Sequence, residues 1–418
     1  MATSEITHVS AREIIDSRGN PTIEVTCELS GGARARASVP SGASTGTHEA
    51  HELRDHDPKR FNGLGVLTAV KNVNEEISMH ILHKAFDQAS LDRTLRELDG
   101  TENKSRLGAN AVLGTSLAFA RAKSKEEGGW LYAYLGALAN NREYRLPQPF
   151  FNIINGGKHA DSGLDIQEYL IAPVGPTSMR EKIRCAAEII AALRTNLGAR
   201  GYAVSVGDEG GFAPRLSSNE EAIERILEAV DTAGYSTESV KIGIDAAATS
   251  FYHDNAYQLK IHGEERSMSS ADLIDWYEEL ASKYPLISIE DGLAEEDWEG
   301  FSRMTARLGG TLQIVGDDLL VTNVARIERA AKERAVNSVL IKPNQIGTLS
   351  ETIEAIQLTK KQGWTPFVSH RSGETTDTFI ADLAVGLSCA YLKSGALVRG
   401  ERVCKYNRLM EIEEHLGV

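Results

Sequence analysis

Six short apolar runs in the last two-thirds of the chain each end on a residue able to do chemistry. Residues 240–244 stop at Asp245, 286–289 at Glu290, 312–316 at Asp317 and 339–341 at Lys342. Residues 366–369 then stop at His370 and Arg371, and 389–392 at Lys393. Runs of this kind read as strands buried on both faces, lying parallel with helices between them. A parallel strand that ends in a carboxylate, ammonium or imidazole places it at the sheet's C-terminal edge, where barrel enzymes assemble their sites. Each interval after the first suits one strand-helix unit; the longer one between Asp245 and Glu290 predicts an insertion.

A chain of 418 residues accommodates a barrel of roughly 250 residues and a second domain. With 45 basic and 59 acidic residues the net charge is −14, which argues against nucleic acid as the main partner, because phosphate neutralisation needs clustered Lys and Arg. The four cysteines, Cys27, Cys185, Cys389 and Cys404, form no Cys-x-x-Cys pair, so neither a structural zinc nor a disulfide framework is expected. No stretch has the length and apolarity of a membrane span, and no apolar leader is visible, so a cytoplasmic location is expected.

Residues 5–40 alternate apolar and polar side chains between turn signals and predict an antiparallel meander. From Leu64 to about Gly128 the spacing turns helical, with Val66, Val70, Val73 and Ile77 on one stripe and Leu113, Leu117 and Ala120 on another. Strands followed by helices predict an α+β capping domain over residues 1–139, with the barrel over 140–418. The barrel opens unusually, since strands at 150–154 and 169–172 leave no room for a helix between them. Amphipathic helices are predicted over 179–197 and 219–233, the second behind a capping box of Ser218 and Glu221, and later helices over 272–283, 323–334, 350–362 and 376–387.

Asp245, Glu290 and Asp317 end consecutive strands of the series, so their oxygens can converge above the barrel; three hard anionic ligands without His or Cys favour Mg²⁺. Lys342 follows three buried apolar residues, and its ammonium form is expected to be disfavoured there, which suits a general base near neutral pH. Glu209 lies in a glycine-rich loop, and Glu168 begins the second strand; two carboxyls sharing a site push one pKa upward and leave a proton for a general acid. Residues 41–46, beginning at Ser41, and the turn of Gly156, Gly157, Lys158 and His159 are either phosphate holders and lids or plain turns. Arg371 and Ser372 at a strand end can grip a phosphate with several donors.

With these residues in view, the chain resembles the enolase family nearly end to end. The markers are Ser17-Arg18-Gly19-Asn20-Pro21-Thr22, residues 39–46, Asn155-Gly156-Gly157-Lys158-His159-Ala160, Gln167-Glu168, residues 207–211, Ser288-Ile289-Glu290-Asp291, Asp317-Asp318, residues 342–348 and residues 369–375. The resemblance implies an N-terminal α+β domain and a TIM-type α/β barrel of order ββαα(βα)6 with an antiparallel second strand. It implies reversible dehydration of 2-phospho-D-glycerate to phosphoenolpyruvate with two Mg²⁺, and a dimer or an octamer built of dimers. On the matched positions, Asp245, Glu290 and Asp317 would hold the first metal and Ser41 the second. Lys342 would take the C2 proton, and Glu209 would protonate the leaving hydroxyl with Glu168 nearby. Arg371 and Ser372, beside His370, would bind phosphate, Lys393 the carboxylate, and His159 would close over the substrate. Lys158 and Pro343 stand at positions that vary in the family, and the chain shows no terminal lysine of the kind linked to plasminogen binding. A racemase or cycloisomerase of the same superfamily, and a scaffold role at a cell surface or in an RNA-decay assembly, are the competing readings.

Overall fold

The structure is a computed structural model that describes residues 2–43 and 45–417. Four strands form the N-terminal sheet in the order β3-β2-β1-β4: β1 (Ser4–Ile15), β2 (Pro21–Leu29), β3 (Arg34–Ser38) and β4 (Ala85–Phe86). The first three are the predicted meander, paired antiparallel from Ile15↔Pro21 back to Ile6↔Leu29 and on to Glu24↔Ser38. The helix Ala109–Glu126 lies across β2 and β3, burying Leu113, Leu117 and Ala120. Gly114 allows this close approach, since a Cβ there would stand 2.5 Å from Val25. The predicted stripe Val66, Val73 and Ile77 is buried too, on a helical run that passes through a π-helical turn at Val73–Ile77.

The barrel strands are β5 (Gln148–Asn155), β6 (Glu168–Pro173) and β7 (Val240–Asp245); the small hairpin sheet of β8 (Tyr252–His253), β9 (Ala256–Ile261) and β10 (Glu264–Met268) is the insertion expected after Asp245. There follow β11 (Leu286–Glu290), β12 (Gln313–Gly316), β13 (Ser338–Ile341), β14 (Thr365–Ser369) and β15 (Tyr391–Lys393). The barrel closes in the order β11-β12-β13-β14-β15-β5-β6-β7. Only β6 runs against its neighbours, antiparallel to both β5 and β7, so the order is ββαα(βα)6 as the resemblance implied. Phe150, Leu170, Ala172, Val315, Leu340 and Phe367 plug the barrel interior, with the Phe150 and Phe367 rings 4.7 Å apart. That apolar plug leaves the C-terminal rim for polar groups.

Helix boundaries differ from expectation where side chains intervene. Ser218 does cap the helix Asn219–Thr232, accepting from the Glu221 N–H at 3.2 Å, but the Glu221 carboxylate accepts from the Ser217 N–H at 2.8 Å rather than from Ser218, so only half of the predicted capping box forms. The last predicted helix starts later, at Phe379, because the Asp377 carboxylate takes the Phe379 N–H and also meets the N-terminal domain. Helix Trp298–Leu308, not singled out by periodicity, buries Trp298, Phe301, Met304 and Leu308 behind an Asp297 cap. No helix is long and apolar enough to cross a membrane among the described residues.

Candidate active site

The rim of the barrel collects the residues that ended the strands. Because β6 is antiparallel, its first residue lies at the same edge as the last residues of its neighbours: Glu168 pairs with Asp245, and Asp245 with Glu290. This register explains how a residue that begins a strand joins residues that end theirs. The Lys393 ammonium, at the end of β15, lies among them, 3.2 Å from Glu168, 3.4 Å from Asp245 and 2.8 Å from Glu290. Lys342, one residue past β13, is paired with Asp317, one residue past β12. All of these side chains are buried or nearly so.

Burial and crowding set the protonation. Burial raises Glu290 well above the carboxylate range, helped by Asp245 and opposed by Lys393. Burial also works upward on Asp317, but the Lys342 ammonium overcomes it and holds that carboxyl down. Lys342 departs from expectation here: burial disfavours its charge, yet Asp317 raises its pKa above the ordinary lysine value. Its ammonium is therefore favoured as long as Asp317 is its partner.

A second group gathers His159, Glu168 and Glu209, one polar atom of each lying within 4.8 Å of the others. The loop of Glu209 is pinned along β5, with Phe212 N–H donating to Ile153 and Asn155 N–H to Phe212 at 2.9 and 2.8 Å. Asn152 donates to Glu209 at 3.1 Å and His370 faces it at 3.3 Å. Burial pushes Glu168 well up, and the Glu209 charge pushes it further. Burial acts upward on Glu209 as well, but the facing His370 and His159 rings together with the Arg402 charge outweigh it and keep it low. Of the two carboxyls, Glu168 holds the proton. Burial lowers the pKa of His159, so that imidazole is neutral, 3.8 Å from each of the two carboxylates.

Arg371 is buried and forks onto Glu49 at 2.9 and 3.1 Å, so a carboxylate from the N-terminal domain sits where an anion would be gripped. Ser372 lies beside it, its buried hydroxyl without a hydrogen-bond partner. Ser41 is not brought to the acid cluster. Its hydroxyl donates to Glu52 at 2.9 Å and accepts from Arg54 at 2.8 Å, and its backbone pairs with Gly373, which ties it into the seam between the domains. Ser44 of the same loop lies outside the described residues. Pro343 costs no backbone bond, because it occupies the first turn of helix Pro343–Ile346, where an N–H would go unpaired.

Several contributors escaped the sequence reading. Gln345 donates to Asp317 at 2.8 Å and sits only three residues from Lys342, a signal available in the motif itself. Asp291 accepts from the backbone N–H groups of Asp317 and Asp318, both at 2.8 Å, and burial then raises Asp318 to about 8 and Asp291 well above its usual range. Arg402, from the C-terminal helix, reaches into the rim with no local signal in the sequence.

The enclosed cavity at the centre is only about 20 Å³, lined by His159, Glu168, Glu209, Lys342, Arg371 and Lys393 among others. It has room for about one water, so a larger ligand requires groups of the lining to move apart. Buried polar atoms without partners face it: His159 Nδ1, Gln167 Oε1, Glu168 Oε2, His370 Nε2 and Ser372 Oγ. Native interiors seldom leave such atoms unsatisfied, and their convergence marks a place where something else binds. A wider cleft of about 680 Å³ near Arg36, Arg121, Lys125 and Arg408 has no comparable cluster among the described residues. Asp291, Asp317 and Asp318 each bring one carboxylate oxygen within 4.8 Å of the others, and hard oxygen donors grouped in this way suit a divalent metal ion.

Comparison with known families gives matches over both parts of the chain. Residues 6–135 match the family described as "Enolase, N-terminal domain", and residues 143–418 match "Enolase, C-terminal TIM barrel domain". The barrel with one reversed strand, its rim of carboxylates and lysines and these two matches agree: the chain belongs to the enolase family.

Proposed function

We propose that this protein catalyses the reversible dehydration of 2-phospho-D-glycerate to phosphoenolpyruvate with two Mg²⁺ at each site. The observation that carries the reading is that one small cavity is lined both by Lys342, the partner of Asp317, and by Glu168 and Glu209, which bring one carboxylate oxygen each within 4.8 Å of the other. A base and an acid on opposite sides of one substrate are what removal of H from one carbon and OH from the next requires.

Asp245, Glu290 and Asp317 would hold the first metal, and bound metal would supply positive charge against the charge that develops on the substrate carboxylate. Pairing a lysine base with Mg²⁺ is the arrangement described for the enolase superfamily. Engagement of Asp317 elsewhere removes the partner that favours the Lys342 ammonium, leaving a lysine that burial alone would push toward the neutral amine. Neutral Lys342 takes the proton from C2. The C3–O bond breaks as Glu209 delivers a proton passed to it from Glu168, and water leaves. Lys393 neutralises the substrate carboxylate, and Arg371 with Ser372 takes the phosphate as Glu49 gives way. His159 closes the opposite side. Ser41 enters this scheme only if its loop leaves Glu52 and Arg54.

Replacing Lys342 with Ala tests the base directly. Turnover of 2-phosphoglycerate is expected to fall by about 10²–10⁴-fold or more; ordinary turnover in the variant would sink the assignment. Non-phosphorylated 2-hydroxy acids reacting faster than 2-phosphoglycerate would favour a different superfamily reaction.

A further inference from the structure

The guanidinium of Arg402 is wholly buried beneath the site, in the first turn of helix Gly400–Leu416. One terminal nitrogen donates to His370 Nδ1 and to the Arg371 carbonyl, both at 2.5 Å; the other donates to the carbonyls of Ser372 at 2.6 Å and Asp208 at 3.1 Å. Its one carboxylate neighbour within ion-pair range is Glu401, 3.6 Å from Nε. A buried cation held by carbonyls and an imidazole is costly beside an apolar residue of similar volume, so packing alone does not account for it.

A guanidinium has donors only, so the His370 nitrogen it meets must be a bare lone pair. An imidazolium, with N–H on both nitrogens, would face Arg402 donor to donor. The ring is therefore neutral with its proton on Nε2, and Nε2 is the atom that faces Glu209 at 3.3 Å. Burial, with the Arg402 charge adding to it, pushes His370 down to about 3. The carbonyls that Arg402 grips bracket the same two loops: Asp208 precedes Glu209, while Arg371 and Ser372 follow His370.

We propose that Arg402 is a positioning residue, fixing His370 as the neutral Nε2–H tautomer and turning that N–H toward Glu209 while it sets the distance between the Glu209 loop and the Arg371–Ser372 loop. Its effect on turnover rests on the proposed proton role of Glu209; its effect on the tautomer does not.

The test uses the full-length protein labelled with ¹⁵N at histidine, with two-bond ¹H–¹⁵N spectra at neutral pH and the His370 signals assigned by their loss in His370→Gln. The expected pattern for His370 in the wild type is the neutral Nε2–H tautomer; an Nδ1–H tautomer or an imidazolium overturns the proposal without any Arg402 variant. In Arg402→Met the pattern should change, and kcat should drop about 10²-fold with a smaller change in KM, as expected when reacting groups are misplaced. Arg402→Lys, which keeps the charge but not the fork, should not restore it. An Arg402→Met protein that keeps both the tautomer and its kcat would contradict the assignment. A wild type that shows the Nε2–H pattern yet does not turn over 2-phosphoglycerate would overturn the functional reading and leave the tautomer assignment standing.

Discussion

Glu168 and Glu209 are the same residue type in one cavity, and their surroundings give them different protonation states. Glu168 is crowded by burial and by its neighbour's charge, while Glu209 meets the Asn152 amide and two imidazoles. The linkage sign for Glu168 is the reverse of an ordinary ion-paired carboxylate. Its folded pKa is raised, so above the unfolded value near 4.5 the native state keeps a proton that the unfolded state has lost. Stability must then fall as pH rises through that window and up to the folded value. Glu168→Gln replaces the protonated acid with a neutral group that cannot ionise. In metal-free protein, its Tm at mildly alkaline pH should equal or exceed that of the wild type, with the advantage shrinking as pH falls toward the carboxylate range. Melting curves that run parallel at all pH values would show that Glu168 is not held protonated. Asp245, Glu290, Asp317 and Lys342 were legible as residues of the barrel rim because each stands at a strand end. The pairing of Lys342 with Asp317 was not, because it crosses from one strand to the next and depends on rotamers that no run of apolar residues encodes.

The elements that matter most are those whose chain direction or backbone geometry is unusual. The six parallel strands were legible from composition, but the direction of β6 is set by its pairing with β5 and β7, and entered only through family resemblance. The absence of room for a helix between β5 and β6 was the one local hint. The glycine-rich loop shows what its composition is for: a Cβ at Gly211 would meet Asn155 Oδ1 at 2.0 Å and the Ile153 carbonyl carbon at 3.1 Å, so the loop lies directly on β5. Gly211→Ala must push the loop off that strand and carry Glu209 with it. Turnover should fall by about 10²-fold, and a variant with near wild-type kcat would show that Glu209 does not depend on this contact. Arg402 lay beyond reach of the sequence because its partners come from distant segments, around Asp208 and His370, and nothing in residues 400–405 distinguishes it from a solvated helix arginine.

On the scale of the whole molecule, the N-terminal domain completes the site rather than merely covering it. Glu49 holds Arg371, Ser17 donates to the Ser372 carbonyl at 3.2 Å, and Ser41 pairs with Gly373 through both backbone groups at 2.8 Å. The seam is fastened further by Arg121, which forks onto Asp377 at 2.7 and 2.6 Å, while Asp377 also takes the Ser38 N–H at 2.9 Å. Asp377→Ala strips Arg121 of its carboxylate and leaves it the Arg36 carbonyl, and should lower stability by about 1–3 kcal/mol in denaturant unfolding; an unchanged midpoint would mean that the seam does not depend on this pair. The most direct test of the central claim mixes the purified protein with 2-phosphoglycerate and follows the ultraviolet absorbance of phosphoenolpyruvate, first with magnesium and then with excess chelator. The account predicts a rise in absorbance that depends on magnesium and stops with the chelator; no rise with magnesium present, or a rise that the chelator leaves untouched, would contradict it.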